Sequence, residues 1–125
     1  QYLLLPEYKT NLRGGVAVRI HDTESSDFDK TSLLAFAGVW HTFPARVTGV
    51  AYIAMAADRY SDANSLSATG SDRSDDIVIM DLRASRPLGR GLTVYGDMQF
   101  RQNDSNVAFY DYDSLQFTAG VEHRW

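Results

Sequence analysis

The sequence predicts an all-β chain: an antiparallel, up-and-down meander of membrane-crossing strands, forming the C-terminal part of a larger transmembrane β-barrel. Three observations predict it. Apolar residues recur with period two rather than 3.6. The connections between these alternating segments switch between tight turns and long polar loops. The chain stops on an aromatic residue, Trp125, at the end of an alternating segment. With 125 residues, 44% of them hydrophobic and 22% charged, the chain has the bulk of one folded domain and is too apolar to be disordered.

Six segments carry the pattern, at roughly 10–21, 32–42, 47–59, 77–86, 91–101 and 114–125, so residues 1–125 read as one barrel segment. In the first, Val16, Val18 and Ile20 oppose Arg13, Arg19 and His21. The second and third hold apolar runs that leave their facing open. In the fourth, Val78, Met80, Leu82 and Ala84 oppose Asp81, Arg83 and Ser85. The fifth is the cleanest, with Leu92, Val94, Gly96, Met98 and Phe100 on one side and Thr93, Tyr95, Asp97, Gln99 and Arg101 on the other. The sixth sets Leu115, Phe117, Ala119, Val121 and Trp125 against Gln116, Thr118, Glu122 and Arg124. A short stretch at 1–5, closed by a turn at Pro6, could add a seventh strand.

The turns at Phe43-Pro44-Ala45-Arg46 and Pro87-Leu88-Gly89-Arg90-Gly91 are tight, with proline fixing φ and glycine permitting positive φ. Between them run long polar connections at 22–30, 60–76 and 102–113. They hold most of the acidic residues, among them Asp22, Asp29, Asp72, Asp75, Asp76, Asp104, Asp111 and Asp113. Short and long connections therefore fall at opposite ends of the strands, the layout of an outer-membrane barrel. A soluble sandwich or lipocalin-like barrel also alternates. The membrane form is favoured because the strands exceed the usual five or six residues and one face is almost purely apolar. The other face carries charge that a packed core would exclude. Counting back from a periplasmic Trp125 puts both tight turns in the periplasm and the long loops outside the cell. Six or seven strands fall short of the eight of the smallest bacterial barrels. The remaining strands are therefore expected from the same precursor or another chain.

The polar residues opposite the apolar face, Arg13, Arg19, Arg83, Asp97, Gln99, Arg101 and Glu122, are expected to face a polar lumen. Phe117, Val121 and Trp125 resemble the terminal aromatic signal read by the barrel-assembly machinery. Phe109, Tyr110 and Tyr112 are candidate loop contacts for a partner. No catalytic arrangement is expected: His21, His41 and His123 lack metal-ligand spacing, no serine sits in a nucleophile elbow, and the chain has no cysteine. The acidic loops could bridge divalent cations, but no EF-hand spacing is present, and solvated loop charge is the simpler reading. A net charge of −4 disfavours nucleic acid as a partner.

The stretch SRPLGRGLTVYGDMQFRQNDSNVAFYDYDSLQFTAGVEHRW, Ser85 to Trp125, resembles the C-terminal end of the surface lipoprotein assembly modifier family. The likeness lies in the turn, the strand ending at Arg101, the loop Asn103-Asp104-Ser105-Asn106 with Phe109-Tyr110-Asp111-Tyr112-Asp113, and the closing strand with its terminal aromatic. In that family a periplasmic tetratricopeptide-repeat domain precedes a membrane barrel, and the protein helps lipoproteins reach the cell surface. The resemblance implies a non-enzymatic translocation or export pore, or a surface-protein assembly factor, in the bacterial outer membrane. It needs no cofactor. Its partners would be outer-membrane lipid and lipopolysaccharide, the barrel-assembly machinery, and lipoprotein or polysaccharide cargo. The alternative is a structural or receptor barrel that binds partners through its acidic, aromatic loops.

Overall fold

Alternating apolar and polar side chains favour extended backbone, because only a strand sends successive residues to opposite sides. Short turns then fold each strand back on the last. The computed structural model describes residues 2–5, 9–22, 29–63, 70 and 72–124. They form seven strands: β1 (Tyr2–Leu5), β2 (Thr10–His21), β3 (Lys30–Thr42), β4 (Thr48–Ala63), β5 (Asp72–Gly89), β6 (Leu92–Ser105) and β7 (Tyr112–His123). All pair antiparallel in one sheet, in the order β1-β2-β3-β4-β5-β6-β7. The sheet is open: among the described residues β1 and β7 do not pair, so no closed barrel is formed. No helix among them is long and apolar enough to cross a membrane; the helical pieces are single 3-10 turns at Pro44–Arg46 and Ala108–Tyr110.

Two differences from the sequence pattern stand out. The stretch near the N-terminus does add a strand, β1. At the other end of the strands, the ladder runs well into the segments expected to be loops. β4 continues to Ala63, β5 begins at Asp72, β6 reaches Ser105 and β7 starts at Tyr112. Asp75, Asp76, Asp104 and Asp113 therefore lie in strands, not in loops.

The register decides the facing. Leu12, Val39, Ala51, Leu82, Met98 and Phe117 are successive partners across β2 to β7, so they lie on one face. The next row on that face, two residues toward the loops, is Gly14, Ala37, Ile53, Met80, Phe100 and Leu115. This apolar face is open to its surroundings: Val16 is 80% exposed, Ile20 79% and Phe117 70%. The opposite face holds most of the buried residues, and they are chiefly polar: Ser32, Asp58, Arg73, Asp75 and Asn103, with Ala54. Large apolar side chains are thus exposed on one face, while three charged ones, Asp58, Arg73 and Asp75, are buried on the other.

Three glycines on the polar face admit large rings from the next strand. Gly15 pairs with Phe36, Gly38 with Tyr52 and Gly120 with Tyr95. A Cβ at Gly15 would sit 3.0 Å from the Phe36 ring, at Gly38 3.2 Å from Tyr52, and at Gly120 2.7 Å from the Tyr95 hydroxyl. Each ring therefore lies across the backbone of its partner, covering ground where a side chain would stand.

At the tight turns the backbone takes positive φ. Ala45 (63°) and Arg46 (60°) do so in the first, where the Phe43 amide donates to the Val47 carbonyl at 2.8 Å. Gly89 (97°), Arg90 (51°) and Gly91 (74°) do so in the second, next to a register shift between Pro87 and Gly89. The Arg124 amide donates to the Gly91 carbonyl at 2.9 Å, and a Cβ on Gly91 would lie 2.0 Å from the Arg124 carbonyl oxygen. Gly91→Ala is accordingly expected to lower stability by about 1–3 kcal/mol, measured as an earlier urea midpoint for the folded species.

Candidate functional site

The polar face is the candidate site, and it has two tiers. The register puts all seven residues read as lumen-facing on that one face, spread along the strands from Arg19 near the loop end to Glu122 near the turn end: Arg13, Arg19, Arg83, Asp97, Gln99, Arg101 and Glu122. Gln99 donates to Asp81 at 3.3 Å across β5 and β6. Arg83 and Asp97 are register partners, with the Arg83 guanidinium 4.4 Å from the centre of the Tyr95 ring. Arg13 sits 5.6 Å from Phe36 and Arg101 5.7 Å from Tyr112. Phe36 and Tyr95 lie over Gly15 and Gly120, which leaves each a π-face to which a guanidinium is attracted. Glu122 accepts from Arg124 at 2.8 Å near the turn end.

The second tier closes the loop end. Asp75 is 2% exposed and is gripped by Arg73 from two residues away on the same face: Nε donates to Oδ1 at 3.0 Å and the terminal nitrogen to Oδ2. The same guanidinium lies 3.3 Å from the centre of Tyr110 and 4.4 Å from that of Tyr60. Beside it Lys30 pairs with the buried Asp58 and lies 5.4 Å from Tyr60. Arg59, on the apolar face, bridges to Asp76 at 2.9 Å and to the Asp75 carbonyl at 3.2 Å. Period two therefore splits the acids of this segment: Asp75 turns to one side, Asp72 and Asp76 to the other. They do not converge on a cation, and no group of three metal-ligating side chains occurs among the described residues.

The β6–β7 connection is built by asparagines. Asn106 accepts from the Ser74 amide and donates to the Asp72 carbonyl, both at 2.8 Å, fastening the connection to β5. Asn103 donates to the Tyr110 carbonyl, while its buried Oδ1 has no partner among the described residues. The three aromatic residues of this connection consequently part ways. Tyr110 is taken up beneath Arg73, and Tyr112 is the first residue of β7, near Arg101. Phe109 remains 77% exposed, edge-on to Tyr110 at 5.3 Å. Of the three candidate loop contacts, Phe109 and Tyr112 are exposed, while Tyr110 is half-buried beneath Arg73.

Of the residues read as an assembly signal, Phe117 and Val121 lie exposed on the apolar face; Trp125 is outside the described residues. The long connection around Ser67 also lies outside them. The histidines sit apart on β2, β3 and β7: His41 shares a 2.8 Å hydrogen bond with Thr10, and His123 is 3.1 Å from the Arg90 carbonyl. The sequence pattern missed Arg73, Asp58 and Lys30. A signal was present in the i, i+2 pair Arg73 and Asp75, which strand geometry places on one face.

No family model, no curated protein and no solved structure matches the chain. Fixed charges of both signs, backed by rings and open along the strand axis, can guide a polar or charged chain.

Proposed function

We propose that this sheet is part of the wall of a bacterial outer-membrane β-barrel that serves as a translocation or export pore, or as an assembly factor for surface proteins. One observation carries the membrane reading: a band of large apolar side chains, exposed or half-buried, on the face opposite the buried charges. On β5 the band lies between Asp76 and Arg86, which are roughly 33 Å apart along the strand at about 3.3 Å per residue. Tilted by about 40°, that gives a belt roughly 25 Å tall, the height of the apolar band of outer-membrane barrels. Lipid would cover this belt, and the remaining strands would close the sheet so that no edge meets hydrocarbon. The polar face would then line the interior, and the resemblance of 85–125 to surface lipoprotein assembly modifiers makes surface-directed cargo the substrate class. Phe109 supports the second reading, a receptor barrel, because an exposed ring on a fastened loop suits a protein contact.

Single cysteines in the full-length protein test the arrangement. One at Ala108 is expected to react with an impermeant maleimide on intact cells, and one at Arg90 only after the outer membrane is opened. The reverse pattern would invert the topology. In planar bilayers the same protein is expected to conduct ions. A tight, non-conducting barrel that still binds a partner through Phe109 would favour the receptor reading.

A further inference from the structure

The two ends of the sheet carry opposite charge. The turn end presents Lys9, Arg46, Arg86, Arg90 and Arg124, with Glu122 as its acid among the described residues, and Glu122 is already paired with Arg124. The loop end presents Asp22, Asp72, Asp104, Asp111 and Asp113 beyond the carboxylates held in ion pairs. Lys9, Arg46, Arg86 and Arg90 are exposed, and none pairs with an acid among the described residues. Arg86 is the most telling. It lies on the apolar face, in the row of Val94 and Val121, one step beyond Ala84. A cation at the edge of an apolar belt reaches out of hydrocarbon to the headgroup layer, its stem lying along the apolar surface.

Resting on the membrane reading above, we propose that the turn-end rim binds the phosphates of anionic phospholipid in the leaflet that it meets. Arg86 contacts headgroups from the outer face, and Arg90 and Arg46 do so from the turns. Each basic residue near an anionic membrane surface strengthens binding about fivefold, and the effect fades with salt. The loop end has the wrong sign for the same ligand. The prediction is sharp because the chain as a whole is acidic, at −4; net charge alone would make an anionic membrane unfavourable.

The test compares the full-length protein in vesicles of phosphatidylcholine and of phosphatidylcholine with 30% phosphatidylglycerol. The readout is the ratio of folded to unfolded protein at a fixed urea concentration. Phosphatidylglycerol is expected to raise that ratio by about fivefold or more, and 0.5 M NaCl to abolish the gain. R86Q/R90Q is expected to fold normally in neutral vesicles and to lose most of the gain, whereas Arg59→Gln at the loop end keeps it. Equal ratios in the two vesicles, or a gain untouched by R86Q/R90Q, would overturn the inference while the membrane reading stands. Should R86Q/R90Q not fold, the lipid and salt dependence of the unaltered protein decides alone. Failure of the unaltered protein to enter either vesicle would instead overturn the membrane reading.

Discussion

Arginine at Met98 is expected to cost about 2–4 kcal/mol of folding free energy in a lipid bilayer, while arginine at the adjacent Gln99 is mild. Met98 is in the middle of the apolar face, flanked by its register partners Leu82 and Phe117. Hydrocarbon on that side would leave a guanidinium unsolvated near the membrane centre. Gln99 lies on the polar face between Asp81 and Gln116, where a new cation meets a carboxylate. The measurement is the urea midpoint of the heat-modifiable folded band in vesicles. Equal tolerance at the two positions would sink the lipid-facing assignment, and a monomer soluble without detergent would sink the membrane reading itself.

Removing Arg73 is expected to be still more damaging. Arg73→Ala leaves Asp75 buried with its charge uncompensated, and breaking a buried pair on one side costs about 3–5 kcal/mol. It also removes the cation from between Tyr60 and Tyr110, so the β6–β7 connection loses a fastening to β5. The double variant Arg73→Met with Asp75→Leu should recover much of the loss, because a desolvated pair often contributes little over apolar residues of similar volume. Chemical denaturation of the two variants separates these outcomes. If the single variant were as stable as the double, Asp75 would have found another partner or reached water.

The parts of the fold legible in the sequence are those where the two faces differ in polarity. β6 and β7 alternate cleanly, so Met98 and Gln99 can be told apart by parity alone. β3 and β4 cannot, since Leu33, Leu34, Ala35, Phe36 and Ala37 are apolar on both sides. The structure shows why: Phe36 is on the polar face, lying over Gly15, and an arginine lies against its ring. Strand ends were illegible for a different reason. Arg73, Asp75 and Asn103 read as loop because polar residues usually seek water. Here Arg73 and Asp75 are buried against each other and Asn103 against the Tyr110 carbonyl, and their backbone stays in the ladder. The pairing that hides them depends on contacts between residues thirty or more positions apart, such as Ser74 with Asn106, which no local pattern contains.

Among the described residues, each strand pairs only with its neighbours in the chain. Such a wall is modular in a specific sense. Inserting or deleting one complete hairpin would leave every other register intact, since no pairing reaches past the adjacent strand. Two strands at a time is the natural increment, because an odd change would carry the following turns to the opposite rim. In the closed barrel proposed above, the circumference would change by whole hairpins while the existing turns kept their side of the sheet.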